Sequence, residues 1–271
     1  MFNSQLDSRS IELRREILEV LRSSRRGHVG SALSLVEILR VLYDDIMRYD
    51  IRRPEWIGRD RCILSKGHGC LALYVLLADK GFFDHKELSK FCTLDGMLGG
   101  HPEHQKIPGV EATTGSLGHG LSIGVGMALA ARQAKAQWRV FVVLGDGECN
   151  EGSIWEAAMC GGKHHLGNLV ALVDCNKMQS AGPTADIQNM EPFAAKWESF
   201  GFATREVDGH DVTALKDLLV TVPFEPDRPS AVICHTVKGK GLASVENSAQ
   251  WHHKSRLEAE DIDALLAELE G

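Results

Sequence analysis

The chain has 271 residues, of which 44% are hydrophobic and 25% are charged. These are ordinary values for a globular protein in water, and the length suffices for one large domain or two small ones. The formal net charge is -7, so the chain as a whole lacks the basic surface that binds the phosphate backbone of nucleic acids, and no nucleic-acid partner is expected.

The first predicted element is an amphipathic helix from Ser8 to Ser24. Six arginines between Arg9 and Arg26 would also suit an import peptide, but glutamates are interleaved with them, and import peptides are poor in acidic residues. No apolar run reaches the roughly 18 residues that span a bilayer, and no signal-peptide pattern opens the chain. We therefore expect a cytoplasmic protein that does not enter the membrane.

Further helical patterns cover residues 33–47 and 69–80, with loops rich in glycine and histidine between them. From residue 139 onward, short apolar runs alternate with helices. The predicted strands are RVFVVL (139–144), NLVALVD (168–174) and SAVICHTV (230–237), and the predicted helices cover 151–165, 191–200, the segment after Asp211, and 257–270. Such alternation predicts an α/β fold, a parallel sheet flanked by helices on both faces. No linker divides the chain, so residues 1–271 are expected to form a single domain.

The seven cysteines show no C-x-x-C pair and no zinc-like spacing. In a chain of this size and composition, that pattern is typical of reduced thiols that mostly lie in the core.

Polar residues follow each predicted strand at the point where it ends. Asp146 lies in a Gly-Asp-Gly turn after the first strand, and Asn176 follows the second. Ligands bind at the carboxyl ends of the strands in such sheets. Together with the backbone carbonyl of Met178, these residues offer three hard oxygens to Mg²⁺, which usually completes its shell with water and substrate phosphates. A tight turn with a solvated aspartate would explain Gly-Asp-Gly alone, but the second strand end favours the metal site.

The glycines around Asp146 also fit a phosphate site. Gly145 and Gly147 allow a sharp turn and a close approach of the backbone to a ligand, and Gly152 begins a helix whose amides favour an anion. The chain has no G-x-x-x-x-G-K-[ST] motif, and Gly124-Val-Gly126 lies inside a helical pattern with no preceding strand. A nucleotide-binding fold is therefore not favoured.

With these residues in place, the chain resembles the diphosphate-binding half of transketolases, enzymes that use thiamine diphosphate and a divalent cation. GDG followed by EGSIWEA and NLVALVDCNK is similar to the cofactor signature of that family. Further similar segments are GHVGSALS, LSKGHG, GGHPEH, PGVEATTGSLGHGLSIGVGMA and VKGKGLASVENSAQWHHK. Because these segments keep the family's order along nearly the whole chain, the resemblance implies a thiamine diphosphate-binding fold.

The resemblance also implies roles for individual residues. The metal, Mg²⁺ or another divalent ion such as Ca²⁺ or Mn²⁺, would be bound by Asp146, Asn176 and the carbonyl of Met178. The implied cofactor contacts are Ser31, Lys66, His68, Gly115, Ser116, Leu117, Asp146, Gly147, Glu151, Asn176, Lys238 and His252. The implied catalytic residues are His28, His68, His101 and His252.

The sequence context and the chemistry of the four histidines also support a catalytic role. Each lies in a glycine-flanked or loop context where the ring is free to face a cleft. Imidazole moves protons near neutral pH and stabilises a developing alkoxide, and ketol transfer needs both. Five other histidines are interpreted as structural or surface residues: His85, His104, His164, His165 and His210.

In the resembled family, a second domain binds the pyrimidine of the cofactor and supplies an activating glutamate. We find no second α/β unit of that kind in the sequence. We therefore expect a separate partner subunit to carry that domain and to contact the far end of the sugar or sugar phosphate, in a complex with two copies of each chain. Glu151 and Glu156 match carboxylates near the family's subunit interface and are candidates for coupling two active sites, although acids in a first helical turn are also favoured by the helix dipole.

The expected reaction is transfer of a two-carbon ketol unit from a ketose to an aldose. Two alternatives remain at this point. The first is a half-enzyme similar to 1-deoxyxylulose-5-phosphate synthase or to 2-oxo-acid decarboxylases. The second is a non-catalytic binding or scaffold subunit that has kept the fold.

Overall fold

The computed structural model describes residues 4–248, 250–251 and 256–270, and within these the main sheet has five parallel strands in the order β1-β2-β3-β7-β6. A two-stranded antiparallel ribbon, β4 with β5, follows the central strand β3. The strands are β1 (Arg61–Leu64), β2 (Val140–Gly145), β3 (Leu169–Cys175), β4 (Met178–Gln179), β5 (Gly182–Pro183), β6 (Ala203–Asp208) and β7 (Ser230–His235).

Helices cover both faces of the sheet. The helices are α1 (Ser8–Ser24), α2 (Val29–Leu33), α3 (Val36–Val41), α4 (Cys70–Asp79), α5 (Gly120–Gln133), α6 (Gly152–Lys163), α7 (Thr184–Ile187), α8 (Phe193–Ser199), α9 (Val212–Leu219) and α10 (Ala259–Glu270). Phe141 and Val143 of β2 pack into the core formed with α1 to α4, α9 and α10, whereas Val140, Val142 and Leu144 pack against α5, α6 and α8. Since successive side chains of a strand point to opposite faces, the wholly buried strands β2 and β3 supply both cores, and the predicted layer arrangement is confirmed.

A buried polar network ties α1 to the loop after β7. Arg14 forms a bidentate ion pair with Glu37, with contacts of 2.5 and 2.9 Å, and its Nε donates to the carbonyl of Lys240 at 2.8 Å. His210 pairs through Nδ1 with Glu37 at 2.7 Å, and its Nε2 accepts a bond from the amide of Val237 at 2.8 Å. Burial alone would raise the pKa of Glu37, but Arg14 and His210 hold it at about 2. The network fixes the backbone on both sides of Lys238.

Several elements differ from the sequence-based prediction. The segment predicted as one helix over 33–47 is broken into the end of α2, α3 and a π-helical turn, Leu42–Ile46. The short strand β1 was not predicted, because four residues are too few for a periodicity signal. The edge strand β6 was also missed because Arg205 and Glu206 in its centre are exposed, so it lacks the apolar run of the central strands.

Within the described part of the chain, none of the helices has the length and apolar character that a membrane span needs. All seven cysteines are free thiols, and Cys92 and Cys160 are the partly exposed ones.

Candidate active site

The floor of the site is a buried carboxylate near the end of β3. Asp174 has no exposed surface and pairs with the ammonium of Lys66, which is 2% exposed. Ser34 donates to Asp174 at 2.7 Å, the side-chain amide of Asn176 donates at 3.1 Å, and the Thr236 hydroxyl donates to its other oxygen. Burial would raise the pKa of Asp174, but Lys66 and the hydroxyl donors lower it below its ordinary value. A charged, fully satisfied group therefore connects β1, β3 and β7 beneath the cleft.

Asp146 lies directly after β2, above this floor. Its two carboxylate oxygens accept the backbone amides of Gly147 at 2.8 Å and Lys177 at 2.6 Å, which joins the β2 loop to the β3 loop. Burial, and then the nearby Asp174, raise the pKa of Asp146 to about 6. A carboxylate in this position gains from a nearby cation, because the cation offsets the cost of burying the charge.

The oxygens of Asn176 and Met178 turn toward the same space. Because the amide nitrogen of Asn176 donates to Asp174, its Oδ1 faces the loop and accepts the backbone amide of Met178 at 3.1 Å. The carbonyl of Met178 accepts a long bond from the ammonium of Lys238 at 3.4 Å. Asp146, Asn176, Met178 and Lys238 line one cavity of about 90 Å³, which we call the acidic-loop cavity.

Cationic and donor groups complete the acidic-loop cavity. Lys66 and Lys238 both line it, and Lys238 is 3% exposed. Burial, and then repulsion from Lys66, lower the pKa of Lys238 to about 7. The side-chain nitrogen of Gln179 is also buried beside the cavity and, among the described residues, has no hydrogen-bond partner. An unsatisfied buried donor next to two lysines is an environment that suits an anionic ligand.

Glu148 holds the surrounding loops together, a role that the sequence did not reveal. Its carboxylate accepts the Ser65 hydroxyl, the Gly118 amide at 2.9 Å and the Gly145 amide at 3.0 Å. This brings the turn that carries Leu117 to the end of β2, where Leu117 lines the acidic-loop cavity. The bonds satisfy a side chain that is only 3% exposed.

A second cavity, of about 210 Å³, lies beside the first and contains three of the predicted histidines. We call it the histidine cavity; His28, His68 and His101 line it, and the rings of His28 and His68 meet edge to face at 5.8 Å between centroids. His68 lines both cavities. Cys70 also lines the histidine cavity, but burial raises the pKa of its thiol to about 12, so the thiol is protonated and a poor nucleophile at neutral pH.

Gly115 lies against His101 of the histidine cavity and does not line the acidic-loop cavity. Its backbone has φ 144°, and a Cβ there would lie 3.0 Å from the ring of His101. A side chain at this position would therefore push the imidazole aside. Gly115 thus connects the turn before α5 to His101.

The remaining predicted residues occupy different positions. Ser116 and Glu151 are exposed and line neither cavity, while Ser31 is buried at 3% exposure in α2. A Cβ on Gly147, which lines the acidic-loop cavity, would lie 2.8 Å from the side chain of Gln179. His252 lies outside the described residues.

A larger and more open cleft, of about 940 Å³, follows the ends of β6 and β7 and is lined by Asp208, His210 and His235. It adjoins the site through Asn176 and Met178. The two smaller cavities nevertheless contain the metal-type oxygens, the lysines and the histidines, so the chemistry converges there.

The sequence family described as "Transketolase, thiamine diphosphate binding domain" matches residues 7–270. The chain belongs to this family. Its cofactor is accordingly thiamine diphosphate, and the two cavities at the carboxyl edge of the sheet are the candidate site of a transketolase-type domain.

Relatives of similar length are transketolase subunits. The chain is 40% identical over 248 residues to a subunit of the apulose-4-phosphate transketolase of Phocaeicola vulgatus, covering 92% of this chain and 88% of that protein. It is also 40% identical over 258 residues to the 6-deoxy-6-sulfo-D-fructose transketolase subunit SqwG of a Clostridium species, covering 95% and 94%.

Solved transketolases share the fold and are much longer. A crystal structure of a Pichia stipitis transketolase variant superposes with a TM-score of 0.89 at 33% identity, covering 98% of this chain and 41% of that one. The Leishmania mexicana transketolase superposes at 0.90 with 27% identity, covering 99% and 42%. The chain thus spans about two fifths of these transketolases.

Proposed function

We propose that this chain is the diphosphate-binding subunit of a two-polypeptide transketolase, which transfers a two-carbon ketol unit from a ketose to an aldose. The observation that carries the proposal is the pair of adjoining cavities, one rich in oxygen ligands and lysines, the other in histidines, joined by His68. The length adds support, since the chain covers 88% and 94% of two relatives that are named as transketolase subunits.

In this proposal the acidic-loop cavity holds a divalent cation and the diphosphate of the cofactor. Asp146, Asn176 and the carbonyl of Met178 supply three oxygens from two neighbouring loops, a set that suits Mg²⁺ or another hard cation. The raised pKa of Asp146, about 6, supports this assignment, because a cation relieves the cost of burying that charge.

The diphosphate would lie against the lysines and amides of the same cavity. Lys238 provides a buried cation, the unsatisfied nitrogen of Gln179 provides a donor, and Gly147, which has no side chain, lines the cavity beside them. Lys66 is already paired with Asp174, so we assign it to the floor, where its charge still acts on the diphosphate. We assign the turn at Gly115, Ser116 and Leu117, and Ser31, to contacts with the rest of the cofactor.

When bound, thiamine diphosphate supplies the nucleophile and the electron sink for cleaving the bond next to the ketose carbonyl. The chain's own residues orient the sugar and move its protons. His68, which borders both cavities, is placed to donate to the developing alkoxide. His28 and His101 face the sugar hydroxyls from the histidine cavity, where imidazole transfers protons near neutral pH, and we assign the same role to His252.

We further infer that a separate polypeptide supplies the pyrimidine-binding domain and the activating glutamate, in a cytoplasmic assembly with two copies of each chain. The free cysteines are consistent with a reducing compartment. Glu151 is exposed where α6 begins and Glu156 is exposed one turn further on, so both are accessible to a neighbouring subunit.

The partner requirement gives a direct test. We expect the purified chain, with thiamine diphosphate and Mg²⁺, to transfer ketol units at least about 100-fold more slowly than the complex isolated with its native partner, because a missing proton-transfer group alone costs about that much. Coupled assays of aldehyde release from a ketose donor, with and without the partner, measure the ratio. Full activity of the isolated chain would contradict the two-polypeptide proposal.

The control for that test is the complex containing Asp146→Ala. It should form normally and remain inactive, which excludes a contaminating transketolase as the source of activity. Supplying pyruvate as the donor distinguishes ketol transfer from decarboxylation, and the complex is expected to release no carbon dioxide from it.

The lowered pKa of Lys238 predicts that cofactor binding is linked to proton uptake. Its pKa of about 7 lies below that of an ordinary lysine, so at pH 8 it is mostly neutral in the free chain. A bound diphosphate restores the charge, so cofactor binding should be accompanied by the uptake of about one proton. Calorimetry in buffers with different ionisation enthalpies measures this uptake. Lys238→Met should remove it and the neighbouring Lys240→Met should keep it; equal uptake in both variants would refute the assignment.

A further inference from the structure

His210 is a buried histidine that the proposed reaction does not use. It lies shortly after β6, is 4% exposed, and its backbone amide donates to the carboxylate of Asp208 at 2.9 Å. Its Nδ1 is 2.7 Å from a carboxylate oxygen of Glu37 in α3, and its Nε2 is 2.8 Å from the backbone nitrogen of Val237, beyond the end of β7. The imidazole therefore connects a helix to the loop that follows the sheet.

The two partners of the ring determine its tautomer. Because the amide of Val237 is a donor, Nε2 accepts and carries no proton, so the proton of the neutral ring lies on Nδ1 and is donated to Glu37. Two guanidinium nitrogens of Arg14 in turn hold the carboxylate of Glu37 at 2.5 and 2.9 Å. A fixed carboxylate thus keeps Nε2 directed at the loop as an acceptor.

Val237 lies outside the hydrogen-bonded ladder of the sheet. The last register pairs of β7 with both neighbouring strands are at His235, and the amide of Val237 donates to His210 instead. One residue later, Lys238 enters the acidic-loop cavity, where its ammonium lies 3.4 Å from the carbonyl of Met178. The bond to His210 therefore acts on the backbone immediately before this lysine.

Lys238 needs such support because its surroundings oppose a buried ammonium. A second buried lysine, Lys66, lines the same cavity. Without a bound anion, two like charges repel each other, and taking each charge out of water is costly. A lysine side chain is long and flexible, so a mobile backbone at Val237 would let the ammonium of Lys238 move toward solvent.

His210 acts on the acidic-loop cavity only through the backbone. Among the residues that the structure describes, it lines the larger cleft at the ends of β6 and β7 and not the acidic-loop cavity. A bound diphosphate in that cavity would meet Lys238, and the imidazole would lie behind the loop that carries it. The ring is thus separated from the ligand by the loop that it holds.

We propose that His210 is a positioning residue for Lys238: its Nε2 holds the amide of Val237 and thereby keeps the lysine ammonium where the cofactor diphosphate is assigned. The inference rests on the proposed function and extends it to a histidine that was interpreted from the sequence as structural or surface. Glu37 contributes by fixing the tautomer that makes Nε2 an acceptor.

Two substitutions separate the two bonds of the ring. The side-chain oxygen of glutamine can reach the position of Nε2, so His210→Gln should keep the bond to Val237 and lose the bond to Glu37. Asparagine is shorter and reaches only the position of Nδ1, so His210→Asn should keep the bond to Glu37 and lose the bond to Val237. Each variant lacks one buried hydrogen bond, and urea denaturation should show similar losses in the free energy of unfolding.

A binding measurement compares the two variants. Inorganic diphosphate is titrated calorimetrically into the full chain in the presence of Mg²⁺. We expect His210→Asn to weaken binding roughly 10-fold, the effect of one lost hydrogen bond, and His210→Gln to stay within about threefold of the unsubstituted chain. Equal losses in the two variants, or a larger loss in His210→Gln, would overturn the proposal.

The tautomer is tested without any substitution in the chain that is measured. The ring nitrogens of the full ¹⁵N-labelled chain are observed by NMR at pH 7, and the signals of His210 are assigned by their absence from His210→Gln. Nδ1 should be protonated and Nε2 unprotonated. A proton on Nε2 would contradict the proposal, because that nitrogen could not then accept the amide of Val237.

Chemical labelling tests the position of Lys238 without a ligand, so its result is independent of the proposed function. The full chain is treated briefly with acetic anhydride, and acetylation is followed by peptide mass spectrometry. Lys238 should react slowly in the unsubstituted chain and in His210→Gln, and roughly 10-fold faster in His210→Asn, since a loop destabilised by one hydrogen bond opens more often by that factor. Lys240 is the internal control and should react alike in all three.

Unchanged labelling of Lys238 in His210→Asn would refute the positioning role even if the complex proves to be an active transketolase. The expected pattern would support that role even if the complex proves inactive.

Discussion

Replacing Asp146 with alanine is expected to abolish Mg²⁺-dependent binding of thiamine diphosphate. In the proposed site Asp146 is the single carboxylate among the three oxygen ligands, so the variant loses the charge that attracts the cation. Loss of an outer-shell partner alone typically costs 10- to 100-fold in metal affinity, and we expect more than about 100-fold here. Calorimetric titration with the cofactor, with and without Mg²⁺, measures the effect. Retained tight binding would refute the metal assignment.

In the metal-free chain the negative charge of Asp146 is unfavourable, so part of the stability of the folded protein depends on pH. Its pKa is about 6 in the folded protein and near 4 in an unfolded chain. The carboxyl is therefore protonated more readily when folded, so its charge lowers the free energy of unfolding above pH 6, and that cost disappears as the pH falls toward 4. Between pH 7 and pH 5 the metal-free Asp146→Ala protein should therefore gain less thermal stability than the exposed control Asp95→Ala, which keeps this titrating group.

Replacing Asp174 with alanine should have the largest effect on stability. The change leaves the ammonium of Lys66 buried without its partner and removes the acceptor of Ser34, Thr236 and Asn176. Breaking one side of a buried ion pair typically costs about 3–5 kcal/mol, and we expect a loss of that size in the free energy of unfolding. Urea denaturation at pH 7 measures it.

A double-mutant cycle checks the physical reason. Lys66→Met removes the orphaned charge, so the double variant with Asp174→Ala should lose less than the sum of the two single losses. Strict additivity would show that the two residues do not interact. Cofactor binding provides a second readout, since Asn176 loses the contact that orients its oxygen.

The sequence predicted the central elements of the fold because their signals are local. The helix Ser8–Ser24 has the predicted bounds, and the strands β2, β3 and β7 agree with the predicted apolar runs to within about two residues. Side-chain periodicity of this kind is decided within each element. The edge strand β6 was not predicted, because its exposed centre interrupts the apolar run. The break between α2 and α3 was not predicted either, because no residue such as proline marks it between Leu33 and Val36.

The candidate site was predicted only in part, for a similar reason. Asp146, Asn176 and Met178 follow strands, so their convergence follows from the parallel sheet. The role of Asp174 was missed, although an aspartate inside a buried strand signals a buried partner. Glu148 and Gln179 carried no local signal, because their contacts depend on how separate loops pack. The antiparallel bridge between Arg26 and Arg256 could not be predicted either, because the two residues lie far apart in the sequence.

The shared position of His68 has a consequence for changing the enzyme. The imidazole lies between the acidic-loop cavity, to which the cofactor diphosphate is assigned, and the histidine cavity, to which the sugar is assigned. Side chains that line only the histidine cavity can therefore be exchanged without altering the oxygens assigned to the cation. A library confined to positions 26, 92 and 256 should yield proteins that still bind thiamine diphosphate and accept different sugars.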